Sequence, residues 1–156
     1  MEKHASLSAH PNHYPKLALM VVLSFIAMYI LMYAMVDRLD NVLPNINQFY
    51  MAGLMTGAMV VIEIVIMSMM YPNRKWNIII IALSLLVLVG CYAGIREQIG
   101  VSDKQFLKSM IPHHSAAILM CKSADLTDPE IKQLCDDIIA GQQAEIDQMK
   151  EKLKDR

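Results

Sequence analysis

Two short stretches near the C-terminus hold the side chains best suited to binding a ligand. Residues 110–115 (MIPHHS) supply a methionine and two adjacent histidines, and residues 142–149 (QQAEIDQM) supply carboxamides, a carboxylate and another methionine. Neutral imidazole is the commonest metal-binding side chain, and thioether sulfur selects Cu(I) over hard ions. The pattern therefore points to a soft or borderline metal ion, with five candidate ligands: Met110, His113, His114, Glu145 and Met149.

The same residues also have an interpretation without a metal. His113 would be a hydrogen-bonded histidine in an apolar helix seam, His114 would be solvated, and the methionines would fill the core. Pro112 adds a local signal, because a proline inside a helix removes one backbone hydrogen bond and frees the carbonyl of Lys108. Spacing alone leaves both interpretations open.

Start signals place the two stretches on neighbouring helices. Ser102 predicts a helix start, with its hydroxyl on the Gln105 amide and the Gln105 side chain reaching back to Ser102. This helix runs to about residue 124, and a second runs from residues 127–130 (TDPE) to about residue 153. The short link between them predicts an antiparallel hairpin.

The hairpin sets a register in which facing positions sum to about 255. Met110 then faces Glu145 or its neighbour Ile146, and Phe106 faces Met149. The two histidines face Gln142 and Gln143. Cys121 faces Cys135, so a disulfide is feasible if the domain is exported, while the alternative is two small apolar seam residues.

Three apolar blocks precede the hairpin. The 156-residue chain is 55% hydrophobic, and its formal net charge of −1 excludes the basic field of a nucleic-acid-binding protein. Residues 17–36 and 78–95 carry no charge, residues 49–70 carry only Glu63, and each block has the length of a membrane-spanning helix. The sequence predicts an all-α protein with three parts: an N-terminal tail (1–16), a membrane region of three transmembrane helices (17–100) and a C-terminal domain (101–156).

Glu63 and a series of methionines lie inside the predicted spans. An acidic group there is costly, so Glu63 is expected to be protonated and hydrogen-bonded to a neighbour such as Ser24, Ser84 or a tyrosine, or else to bind a cation. Methionines recur every four residues from Met51, but such a series drifts about 40° per step, which favours packing over a metal path. The tail histidines, His4 to His13, would bind a metal only loosely.

The hairpin resembles a known family. Asp103, Phe106, the run at 110–114 (MIPHH), the turn at 128–130 (DPE) and residues 138–149 are similar to the bacterial family called domain of unknown function 305. The resemblance covers about residues 101–153, and the membrane part resembles three-span members. It implies a ferritin-like helical bundle, copper binding or copper resistance in exported members, and a metal role for the five candidate ligands. Gln143 replaces the acidic residue of many members, which puts a carboxylate-rich iron site in doubt.

These observations predict a multi-pass protein in the lipid bilayer of the bacterial inner membrane. The charges around the first span, Lys16 against Asp37, Arg38 and Asp40, favour an extracytoplasmic C-terminal domain. This domain would bind copper for storage, buffering or resistance, without catalysis. The rival is a membrane-anchored interaction module with no metal, and a weaker rival is a metal-dependent redox enzyme.

The hairpin is also expected to form a homo-oligomer. Its isoleucines and leucines cannot all face one partner helix, which predicts a four-helix bundle on dimerisation. These residues are Ile118, Ile131, Leu134, Ile138, Ile139 and Ile146. The alternative is that the hairpin packs on its own membrane helices.

Overall fold

The chain is entirely helical over the residues that the structure describes, 13–155. This computed structural model contains five α-helices joined by loops and short 3-10 turns: α1 Tyr14–Leu31, α2 Ile46–Ile66, α3 Arg74–Arg96, α4 Asp103–Ser123 and α5 Pro129–Lys154. No strand occurs within residues 13–155. The predicted all-α class is therefore confirmed.

Three helices are long and apolar enough to cross a membrane: α1 with the 3-10 turn that continues it to Met35, α2, and α3. They begin about one turn before the apolar blocks of the sequence. Caps fix two of these starts, because the Asn45 side chain accepts a hydrogen bond from the Gln48 N–H and Asn73 does the same for the first turn of α3. α2 is central, with 33% of its span buried against 6% for each neighbour.

Small residues let α2 and α3 approach each other closely. A Cβ on Gly57 would lie 3.0 Å from the Ser84 carbonyl oxygen, and a Cβ on Gly94 would lie 2.9 Å from the Tyr50 ring. Close backbone approach at small residues is a common basis of helix association in a bilayer. A larger residue at Gly57 would press on the backbone of α3, and one at Gly94 would displace the Tyr50 ring.

α4 and α5 form the predicted antiparallel hairpin. The Cys121–Cys135 disulfide joins the end of α4 to the start of α5, with 5.3 Å between the two Cα atoms. Apolar residues from both helices make the shared core: Leu107, Ile111, Ile118, Ile146 and Met149. The hairpin is confirmed, while a ferritin-like four-helix bundle would require a second copy and stays a prediction.

The start of α4 is capped in one direction only. Ser102 Oγ accepts a hydrogen bond from the Gln105 N–H at 3.4 Å, as the sequence predicts. The prediction that the Gln105 side chain would reach back to Ser102 is wrong. Its Oε1 instead accepts from the Ile46 N–H at 3.1 Å, because the first amides of α2 lie beside it and need acceptors.

The hairpin lies against the membrane part of its own chain. Asn47 Nδ2 donates a hydrogen bond to Ser109 Oγ at 3.2 Å. Leu43, in the connection between α1 and α2, packs on the hairpin core. Within one chain, the hairpin thus packs on its own membrane helices, which was the alternative to pairing with a second copy.

Candidate metal centre

α4 directs its two adjacent histidines to different sides. A helix advances about 100° per residue, so the two imidazoles point about 100° apart, with Met110 between them at about 60° from His113 and about 40° from His114. His114 is 9% exposed and contacts α5, whereas His113 is exposed and lines a cavity beside the membrane helices. The two ring centroids are 6.2 Å apart. The pair therefore divides into one enclosed imidazole and one accessible imidazole.

Both ring nitrogens of His114 have partners. Nδ1 lies 3.0 Å from the Met110 carbonyl oxygen, and Nε2 lies 2.7 Å from Oε2 of Glu145. A carbonyl oxygen can only accept, so Nδ1 is the donor there. Nε2 is held by the Glu145 carboxyl, so the ring links the backbone of α4 to a side chain of α5.

Glu145 meets His114 in place of the glutamines that the simple register put there. Each Cα–Cβ bond tilts toward the N-terminus of its own helix, so facing side chains in an antiparallel pair lean toward each other. This lean brings together two positions that the backbone alone sets about one turn apart. Gln143 instead hydrogen-bonds Asp147 of its own helix at 2.9 Å.

Met149 lies in the hairpin core and not beside the accessible histidine. It is 9% exposed and packs in the cluster with Leu107 and Ile111. Met110 is half-buried, packing on that cluster while also lining the cavity. The five candidate residues thus separate into Met110 with His113, His114 with Glu145, and Met149 in the core.

A cavity of about 710 Å³ lies between α4, the end of α1 and the start of α2, and we call it the junction cavity. Its lining includes four thioethers and one imidazole: Met32, Met35, Met51, Met110 and His113. Amides and a hydroxyl also line it: Asn45, Asn47, Gln48, Gln98 and Ser109. Within residues 13–155 no three His, Cys, Asp or Glu residues are grouped to hold a metal ion, so a metal here would depend on sulfur from methionine.

Pro112, beside the junction cavity, leaves a backbone carbonyl of α4 free to contact the membrane part. It has no N–H to donate to the Lys108 carbonyl. Asn45 Nδ2 approaches that carbonyl oxygen at 3.4 Å, while Asn45 Oδ1 caps α2 by accepting from the Gln48 N–H at 2.9 Å. The carbonyl that the sequence predicted to be free is used by the membrane part, which holds the turn carrying Met110 and His113 against α2.

Ser115 and Asp37 form a second contact between the two parts, and sequence reasoning missed it. The Asp37 N–H donates to Ser115 Oγ at 2.9 Å, and the Ser115 hydroxyl donates to Asp37 Oδ1. Asn41 Nδ2 donates to the same Oδ1 at 2.8 Å. The available signal was the four-residue spacing of Asp37 and Asn41, but Asp37 was considered only as one of the charges that flank the first span.

Asp37 is electrostatically stabilised in this position. Burial alone would raise the pKa of its carboxyl, but the bonds from Ser115 and Asn41 and the positive charges of Lys122 and Arg38 together lower that pKa below its ordinary value. Arg38 Nε lies 3.7 Å from Oδ2 and Lys122 Nζ lies 3.9 Å from it. Asp37 is therefore anionic at neutral pH.

Three other sequence expectations concern groups outside the junction cavity. The disulfide excludes the interpretation of Cys121 and Cys135 as two unlinked seam residues in this structure. Glu63 has a tyrosine partner, because the Tyr71 hydroxyl donates to Glu63 Oε1 at 3.2 Å. His4 and His10 lie outside the described residues.

Comparison of this chain with known proteins identifies a family but no activity. Residues 94–153 match the family described as Domain of unknown function (DUF305). A protein of Acanthamoeba polyphaga mimivirus described as "Uncharacterized protein L153" is 40% identical over 141 residues, which are 88% of this chain and 91% of that protein. No solved structure matches the chain. The chain therefore carries a DUF305 domain at residues 94–153, and it belongs to one family with the mimivirus protein, since their similarity extends through the membrane part as well as the hairpin.

Proposed function

We propose that this protein is a membrane-anchored metal-binding protein that binds copper, for buffering or resistance and without catalysis. The observation that carries the proposal is that Met110 and His113 both line the junction cavity. His113 is exposed, and within residues 13–155 its ring nitrogens have no hydrogen-bond partner. An accessible imidazole beside a thioether is a donor set suited to copper.

The other three candidate residues would support this site. His114 would have to give up the Met110 carbonyl or Glu145 to bind a metal, so we assign it to orienting α4, with Glu145 as its charge-balancing partner. Met149 would fix the spacing of α4 and α5 from within the core. Met110 and His113 are then the ligands that the hairpin itself supplies.

We propose that the C-terminal domain faces an oxidising compartment. Disulfides persist in such compartments and are rare in the cytosol. The Cys121–Cys135 pair therefore supports the predicted location, a bacterial inner membrane with the hairpin on its outer face.

A second candidate function is an interaction module without a metal. Ile131 is 47% exposed and Leu134 is 57% exposed, and both lie in the first half of α5, three positions apart. Two such apolar side chains on one helix face suit a contact with another hairpin. This function predicts that changes at the junction cavity leave assembly unaltered.

Metal titration of the full-length protein in detergent micelles separates the two functions. His4, His10 and His13 are first replaced by alanine, so that the tail cannot contribute. We expect about one Cu(I) ion per chain and no binding of Mg²⁺ or Ca²⁺, since those ions prefer oxygen ligands. The variant M110L/H113A should lose Cu(I), whereas M120L, at a 58% exposed methionine of α4 outside the junction cavity, should keep it.

Two results of this titration would overturn the proposal. One is an unchanged copper stoichiometry in M110L/H113A. The other is a parent protein that binds no transition metal, which would favour the interaction module.

A further inference from the structure

The membrane part contributes more sulfur to the junction cavity than the hairpin does. Met32 and Met35 come from the 3-10 turn after α1, Met51 comes from α2, and Met110 comes from α4. We propose that Met32, Met35 and Met51 complete the site of Met110 and His113, making one thioether-rich centre for a monovalent soft cation, Cu(I) or Ag(I). This inference rests on the proposed function and extends it to residues of the membrane part.

Local geometry places each set of donors on the same side of its element. In a 3-10 turn, side chains three positions apart eclipse one another, so Met32 and Met35 face the same way. Met110 and His113 have the same spacing on α4, where such positions are neighbours. Three separate elements thus direct sulfur or imidazole toward one space.

Most polar groups at the cavity already have partners. Asn47 Nδ2 donates to Gln98 Oε1 at 3.2 Å, and Gln98 Nε2 donates to the Ile95 carbonyl at 2.6 Å. Asn47 also bonds Ser109. The groups left for a ligand are therefore the neutral thioethers, His113 and the Gln48 carboxamide, and none of them brings a negative charge. A neutral, sulfur-rich set favours a monovalent soft cation over a divalent hard one.

The membrane-part methionines do not fill a closed core. Met35 is 50% exposed and Met51 is 44% exposed, although both line the cavity. Met59 offers a contrast, because it packs on the buried cluster of Leu17 and Val60. Flexible, accessible thioethers can adjust to an ion that enters the cavity, whereas packed ones cannot do so without disturbing their neighbours.

The direct test compares two triple variants in the full-length protein by competition with a Cu(I) chelator. M32L/M35L/M51L removes the membrane-part sulfur atoms while keeping apolar volume. We expect its Cu(I) affinity to fall by about 100-fold or more. The matched control M20L/M59L/M69L changes membrane-part methionines outside the junction cavity and should bind as the parent does.

The results distinguish this inference from the function on which it rests. If M32L/M35L/M51L binds like the parent while M110L/H113A does not, the hairpin alone holds the metal and the inference is wrong. If M110L/H113A also binds like the parent, the proposed function fails as well.

Methyl NMR gives a second readout that does not depend on the folding of a variant. The protein is labelled with ¹³C at its methionine methyl groups and titrated with Ag(I), a stable substitute for Cu(I). We expect shifts at Met32, Met35, Met51 and Met110, with Met59 unchanged. Shifts confined to Met110, or shifts at other methionines, would contradict the shared site.

Discussion

Nε2 of His114 lies 2.7 Å from Oε2 of Glu145, which joins α4 to α5 directly beside the candidate metal ligands. Because the same ring also contacts the Met110 carbonyl at 3.0 Å, His114 cannot rotate freely. Its neighbour His113 has no such restraint. The pair of adjacent histidines therefore combines a structural residue with an accessible one.

Removing the carboxylate should loosen this part of the hairpin. In E145A the Nε2 of His114 loses its partner, and because Glu145 is exposed, water can replace part of the bond. We expect the free energy of unfolding to fall by about 1 kcal/mol. Thermal unfolding followed by circular dichroism measures this effect, with E151A, at an exposed residue of the same helix, as the control. Equal melting temperatures for the two variants would contradict a role for the pair.

Acidification should weaken the contact between Asp37 and Ser115. The pKa of Asp37 is lower in the folded state than its ordinary value. Its ionised form therefore stabilises the fold above the unfolded-state pKa, and this stabilisation is lost as the pH falls through the folded-state pKa. We expect the melting temperature of the parent protein to drop between about pH 5 and pH 3.

The variant D37N isolates this effect. It should melt at a lower temperature than the parent at neutral pH and should lose less stability on acidification. D136N, which changes an exposed carboxylate on α5, should follow the parent curve. A D37N curve parallel to that of the parent would show that Asp37 does not titrate in the way its surroundings indicate.

The disulfide should stabilise the hairpin against unfolding. It closes a short loop, with a sequence separation of 14 between the two cysteines. Constraining the unfolded chain over such a loop contributes about 3 kcal/mol. C121S/C135S should therefore melt several degrees below the parent, and a reducing agent should lower the parent to the same value without affecting the variant. If the reducing agent leaves the parent unchanged, the bond is absent from the protein as isolated.

The exposed apolar face of α5 should mediate self-association. Burying Ile131 and Leu134 against a second copy would remove apolar surface from water, whereas two glutamates there would repel each other across the contact. In I131E/L134E we expect the mass from sedimentation in micelles to fall from dimer to monomer. K132E/Q133E, at the two intervening exposed positions, should remain dimeric. A monomeric parent protein would exclude the predicted four-helix bundle.

Local signals in the sequence were sufficient for most of the fold. Long apolar blocks predicted α1, α2 and α3, and Ser102 and Asp128 mark the starts of α4 and α5, where the structure shows them capping the first turns. The facing of Cys121 and Cys135 followed from the length of the link alone. These features depend on residues close together in the chain.

The site was less predictable because it depends on distant residues. Asn45 and Lys108 are 63 positions apart, and Asp37 and Ser115 are 78 apart, yet these contacts decide which face of α4 meets the membrane part. Spacing grouped His113 and His114 as one ligand pair, and the interpretation without a metal had His113 hydrogen-bonded in the seam and His114 solvated. That assignment is wrong, because His114 is the enclosed, hydrogen-bonded residue and His113 is the exposed one. The drift of the series that starts at Met51 favoured packing, because a spacing within one span gives no information about a cavity built from three elements.

X-ray absorption at the copper edge of the Cu(I)-loaded full-length protein tests whether thioethers and His113 bind copper together. We expect a first coordination shell that contains both sulfur and nitrogen, with the nitrogen contribution lost in H113A and retained in H114A. A shell of nitrogen and oxygen only, or a spectrum unchanged in H113A, would contradict copper binding by thioethers together with His113.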